Sequence, residues 1–325
     1  MSKIVLGIDV SKAKLDLALL KDNKFYCKTV DNSNIGFKEI LHFLSKKSIG
    51  KPEIYLESTG SYSEMVSDFF VDHNFKIKVV NPLKIHAFSK AKLSRNKTDK
   101  ADAKLIAEYG LKFEEPSYKK LPKNIMELRA LYRCSLSLKE QAVECKNHLE
   151  HKNVMPEFVV STWKTTLNNI NQQIKDIKKR MNEIIEKSED LTTKFSNLMS
   201  IPGIAGTTAI AVLAEVGKID KFLTARQLAA YIGVTPRHRN SGSSVNSKPS
   251  IAKIGNAILR KALYLPSVTA MRCNETFAKF ASTLKIRRKL GKQVIIAIMR
   301  KIIHAIFGVL KNNSKFNEKL LFKYA

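Results

Sequence analysis

The sequence predicts an α/β domain followed by a mainly helical remainder. Three observations carry that expectation. Three consecutive strand-like runs open the chain, the hydrophobic period then switches between strand and helix up to residue 110, and from residue 124 the pattern is almost wholly helical.

In order, Lys3–Val10 is a near-continuous apolar run, and Lys14–Leu20 and Lys24–Val30 follow across short turns, so the three can pair as an antiparallel meander. Ile35, Ile40, Leu41 and Leu44 share one helical face. Ile54–Glu57 then reads as a strand, Tyr62–Asp72 as a helix, Ile77–Val80 as a strand and Thr98–Tyr109 as a helix. The order β-β-β-α-β-α-β-α is that of a ribonuclease H-like domain, assigned to residues 1–120.

Residues 121–190 read as a coiled-coil helical hairpin. Trp163, Leu167, Ile170, Ile174, Ile177, Met181 and Ile184 alternate spacings of 4 and 3, and Leu138, Ala142, Cys145 and Leu149 repeat the pattern upstream. Pro156 cannot continue a helix interior and marks the turn. The apolar stripe points to self-association, the alternative being an intramolecular pair. Residues 191–325 form a mainly helical C-terminal domain. Within it Ile201-Pro202-Gly203-Ile204-Ala205-Gly206 has the shape of a helix-hairpin-helix turn, in which Gly203 and Gly206 would let free amides approach a phosphate. Two packed helices with a tight turn would look the same. Arg237–Ser250 is polar, serine-rich and without periodicity, an exposed loop.

The charge is uneven. The chain carries +28 in total, and residues 1–110, 111–190 and 191–325 carry +6, +3 and +19. A terminal third with four carboxylates cannot satisfy its own cations, and phosphate can. The expected partner is therefore nucleic acid, with Arg237, Arg239, Lys248, Lys253 and Arg260 as candidate contacts. The 44% apolar content excludes wholesale disorder. Cys27, Cys134, Cys145 and Cys273 form no metal or disulfide pattern, and no apolar leader precedes them, so a reducing cytoplasm is expected. Val294–Leu310 is apolar but interrupted by Arg300, Lys301 and His304, which favours a buried amphipathic helix over a membrane span.

Four carboxylates break the local pattern. Asp9 ends the first strand, Glu57 ends I-Y-L-E, and Asp99 and Asp102 share a face near a helix start. In a ribonuclease H-like fold these elements adjoin, and such an oxygen cluster suits two Mg²⁺ ions about 3.5–4 Å apart. Asp99 and Asp102 could equally complement a helix N-terminus capped by Thr98. Asp16 alternates along the second strand and reads as solvent-facing. Ser241, beside Arg237, His238 and Arg239 and before Gly242, is a hydroxyl with guanidinium groups at hand to polarise a phosphate. Ser243, Ser244 and Ser247 are its rivals.

These residues resemble the insertion-sequence transposases numbered one hundred and ten, which join a RuvC-like DEDD domain to a serine-containing transposase domain. The matching stretches are G-I-D-V-S-K at 7–12, L-E-S-T-G-S-Y at 56–62, N-K-T-D-K-A-D-A at 96–103, I-P-G-I-A-G at 201–206 and A-A-Y-I-G-V-T-P-R at 229–237. S-G at 241–242, K-I-G-N-A-I-L-R at 253–260 and R-K-L-G-K at 288–292 complete the set. The resemblance implies that Asp9, Glu57, Asp99 and Asp102 bind Mg²⁺ or Mn²⁺ and that Ser241 is the nucleophile, here following Asn240 where the family usually has another serine. It also implies a DNA recombinase acting on double-stranded element ends and targets, with a structured noncoding guide RNA. A homo-oligomer, dimer or tetramer, is expected through the hairpin. The competing readings are a RuvC-like metal-dependent junction resolvase and a non-catalytic architectural protein.

Overall fold

Strands form where the apolar runs place them: β1 (Val5–Val10), β2 (Lys14–Lys21), β3 (Lys24–Asp31), β4 (Glu53–Glu57) and β5 (Ile77–Val80). This is a computed structural model, which describes residues 3–47, 49–58, 60–93, 98–237, 240–241, 245–246 and 250–321. The sheet order is β3-β2-β1-β4-β5; β1 runs antiparallel to β2 and parallel to β4, and β4 parallel to β5. β1 is central and covered on both faces, hence its unbroken apolar run.

The faces follow the alternation of the strands. Leu6, Ile8, Leu17 and Leu56 pack with Phe37, Ile40 and Phe70 from α1 (Asn34–Lys46) and α2 (Ser61–Asp72). Val5, Leu20 and Tyr55 pack on the other face with Ile106 and Tyr109 of α4 (Asp99–Lys112). α4 crosses so close that a Cβ at Gly7 would stand 2.3 Å from the Ala103 carbonyl oxygen. The sequence reading missed α3 (Pro82–Ala91), although Asn81 caps it and Pro82 opens it.

The chain divides into two compact units, Met1–Lys120 and Leu121–Ala325. The second begins with α5 (Lys123–Glu150) and α6 (Glu157–Glu186), which run antiparallel, His148 stacking on Trp163 at one end and Arg180 bonding Glu127 at the other. The repeating residues face inward: Ala142, Cys145 and Ile170 are buried together, with Leu138, Trp163, Leu167 and Ile174 packed around them. This corrects the sequence argument for self-association, because the stripe is covered by a helix of the same chain. The base of the pair, Ile125, Leu128, Tyr132, Met181 and Ile184, joins the core of the helices that follow.

Those helices are α7 (Glu189–Met199), α8 (Gly206–Val216), α9 (Ala225–Ile232), α10 (Ala257–Ala262), α11 (Tyr264–Cys273), α12 (Glu275–Ile286), α13 (Gly291–Asn312) and the short α14 (Glu318–Leu321). α13 is long and apolar enough to cross a bilayer, but half of that stretch is buried inside this unit, through Val294, Ile298, Ile302 and Ile306. It is a core helix.

Candidate functional site

Alternation places Asp9 on the α4 face of the sheet, with Gly7 beside it on the same strand and Tyr55 and Glu57 on the same face of β4. The close approach at Gly7 brings α4 over β1, and Thr98 caps that helix, its Oγ1 accepting from the Ala101 amide at 3.2 Å, so Asp99 and Asp102 occupy the first turn. The carboxylates therefore complement the helix N-terminus, one of the two sequence readings of this pair, and their charge also acts on Asp9. Burial first, then the charges of Asp102, Asp99, Glu57 and Asp16, push the Asp9 carboxyl up to about 6. Four elements thus converge on one half-buried carboxylate.

Asp16 corrects the sequence reading. It lies directly opposite Asp9 in the β1–β2 register, is half-buried, and accepts from Thr29 Oγ1 at 2.6 Å. The signal that could have found it was parity, since Asp16 shares the face of Ala18 and Leu20. Among the described residues no three His, Cys, Asp or Glu side chains stand close enough to form a finished metal cage. The donor set is all oxygen, and its mutual repulsion is what a hard divalent cation would relieve.

Ser241 lies in a short ladder rather than an irregular loop, which corrects the expectation for 237–250. β6 (Pro236–Arg237) pairs with β9 (Ser250–Ile251), and β7 (Asn240–Ser241) pairs with β8 (Val245–Asn246), Ser241 opposite Val245. For Ser241 and Arg237 this backbone pairing is what the structure describes. Arg239, Lys248, His238, Ser243, Ser244 and Ser247 lie outside the described residues.

A buried carboxylate that the sequence reading passed over, Glu215 of α8, ties α5 to the start of α10. Glu215 is 1% exposed, receives Arg133 at 2.7 and 3.0 Å and Asn256 Nδ2 at 2.8 Å, and Asn256 in turn caps α10. Burial pushes the Glu215 carboxyl up, but the Arg133 and Asn256 hydrogen bonds outweigh it and hold the group below the ordinary range. Arg260 Nη1 donates to the Ile232 carbonyl at 2.9 Å, tying α10 to the end of α9, while Lys253 is exposed. Gly203 is corrected as well. At φ +85° it lies where a Cβ would be 2.3 Å from the Pro266 carbonyl oxygen, so close packing on α11 explains the glycine. Gly206 opens α8.

The class these features define is a two-part nucleic-acid enzyme, and comparison with known proteins makes it specific. A family described as "Transposase" (DEDD_Tnp_IS110) matches residues 6–154, and the "Transposase IS116/IS110/IS902 family" matches residues 195–282. The "Pilin gene-inverting protein" of Moraxella bovis is 31% identical over 98% of this chain and 99% of its own length. The "Transposase for insertion sequence element IS1111A" of Coxiella burnetii is 24% identical over 80% of this chain and 75% of its own. The chain belongs to the IS110 family of transposases and is a DNA transposase/recombinase. Among solved structures, "T. thermophilus RuvC in complex with Holliday junction substrate" aligns with 36% of this chain and 99% of its own, at 13% identity and a TM-score of 0.27. A score that low says nothing about chemistry.

Proposed function

We propose that this transposase cleaves and rejoins double-stranded DNA, with Asp9, Glu57, Asp99 and Asp102 holding Mg²⁺ or Mn²⁺ and Ser241 attacking the phosphodiester. The observation that carries the reading is the convergence of these carboxylates on one face of the sheet against their own repulsion, centred on Asp9. A divalent cation bound there would neutralise charge on the scissile phosphate. Asp9 must be ionised to bind it, Gly7 keeps Asp102 within reach, and Asp16 adds negative charge without being needed as a ligand.

In the covalent step the bond from Ser241 Oγ to phosphorus forms as the bond from phosphorus to a deoxyribose oxygen breaks. The serine proton passes to a base, a proton from an acid goes to the departing sugar oxygen, and the sugar hydroxyl so formed can later reverse the step on another strand. Arg237 and Arg239 are the cations proposed to steady the phosphate, with Lys248, Lys253 and the amide end at Gly206 as further backbone contacts. A structured noncoding RNA is proposed as the guide, and the cytosol as the place of action. Self-association through the α5–α6 arm also remains a proposal. With its heptad stripe covered, the contact shifts to the arm's tip, where Val154 and Phe158 are 85% and 82% exposed.

The test uses the purified full chain on a plasmid bearing the element ends, with Mg²⁺ and the guide transcript. Asp9→Asn and Asp102→Asn should each abolish recombination while leaving the circular dichroism spectrum and DNA affinity unchanged. Recombination by Asp9→Asn at the wild-type rate would dismiss the metal site, and cleaved DNA free of protein would replace the serine reading with that of a resolvase.

A further inference from the structure

A cavity of about 720 Å³ opens beside the β6–β9 pair, with Pro236 of β6 and Ile251 of β9 in its lining. Leu284, Ile296 and Ala297 make much of its lining apolar, and Tyr264 adds an aromatic ring. Lys289, Lys292 and Arg300 line it too, Lys289 just before α13 and Lys292 in its first turn, where the positive pole of the helix adds to their charge. No Asp or Glu occurs between residues 276 and 317, against ten Lys and Arg.

We infer that this cavity receives one nucleobase turned out of a DNA duplex. An apolar lining that includes an aromatic ring suits the face of a base, and three cations in the same lining suit the phosphates on either side of it. Cations beside an apolar and aromatic lining make a base turned out of bound DNA the natural occupant, and Pro236 of that lining lies five residues before Ser241 in the sequence. A second copy of this chain is a poor alternative, because the terminal third carries +19 and would meet its own charge. The inference rests on the reading that this third of the chain handles DNA. It does not need Ser241 to be the nucleophile, since binding alone tests it.

The probe is a short labelled duplex with one unpaired central thymidine, compared with the same duplex carrying an abasic sugar at that position. The full-length protein is titrated with each at about 0.2 M salt, where contacts to the backbone alone are weakened. The thymidine duplex should bind about tenfold tighter, as stacking of one base on an aromatic wall gives. Tyr264→Ala and the cavity-filling Ala297→Phe should each erase that difference, with melting temperature and affinity for the abasic duplex retained. Equal affinity for the two duplexes in the wild type would overturn the proposal, and so would a preference that survives both variants. A preference confined to the equivalent RNA duplex would move the cavity to the guide and overturn the DNA assignment. Variants that lower the sedimenting mass and leave the base preference intact would make it a protein contact instead.

Discussion

Asp9 is where the account is most exposed at the scale of a single residue. Its carboxyl is raised to about 6, above its ordinary value of 3.8, so it opposes folding once ionised. The favourable contribution is fully present below about 4 and is lost as pH rises through about 6. Metal-free protein should therefore lose melting temperature over that interval. Added Mg²⁺ should restore more of it at pH 7.5 than at pH 5, since the ion competes with the proton. Asp9→Asn should melt about 2 °C higher than wild type without metal at pH 7.5, for relief on the order of 1 kcal/mol. It should also show no Mg²⁺-dependent shift. A differential scanning series across pH checks both. Asp9 and Glu57 stand out in the sequence because a carboxylate at the end of an apolar strand is costly unless it has a task, and Asp99 and Asp102 because they share a face at a helix start. Asp16 was not, because parity along β2 says which face a residue takes only once the fold says what covers that face. The reason for Gly203 was likewise hidden, because it lies in α11, more than sixty residues further along the chain.

At the scale of elements, the packing of α4 on β1 sets the site, and Gly7 sets the packing. Gly7→Ala must push the Ala103 carbonyl away, at a cost of about 3 kcal/mol, and should separate Asp102 from Asp9. The expected result is a folded protein with a lower melting temperature and little recombination, read by calorimetry and a plasmid assay on one preparation. The packing of α5, α8 and the start of α10 depends on Glu215 in the same way. Glu215→Ala leaves Arg133 and Asn256 without their partner and should cost roughly 3 kcal/mol, the low end for a broken buried pair because Arg133 is half in water. Glu215→Gln, which keeps a hydrogen bond to Asn256, should cost less in the same urea titration. The α5–α6 pair was legible as two helices from its spacing of apolar residues, but the spacing is the same whether the facing helix belongs to this chain or to another. Ile174→Asp should therefore lower stability by about 2 kcal/mol with the sedimenting mass unchanged, since it meets α5.

At the scale of the whole molecule, charge separates the two units: +7 on residues 1–120 and +21 on residues 121–325. Fragments cut at residue 120 should differ accordingly, the second binding duplex DNA with a steep salt dependence and the first weakly; equal slopes would contradict the assignment of nucleic-acid affinity to the second unit. A cut at residue 190 would be a poorer test, because Ile125, Leu128, Tyr132 and Met181 belong to the core of the helices beyond it. That shared core escapes the sequence, where the heptads read as a self-contained segment. The proposed reaction needs both the carboxylates around Asp9 and the hydroxyl of Ser241. Its most direct measurement is mass spectrometry of the peptide left attached to DNA after the reaction is stopped by denaturation in the presence of Mg²⁺. The expected product is DNA esterified to Ser241 in the wild type and no adduct in Ser241→Ala or Asp9→Asn. Cleaved DNA with no peptide attached, or a peptide linked through Ser243, Ser244 or Ser247, would contradict it.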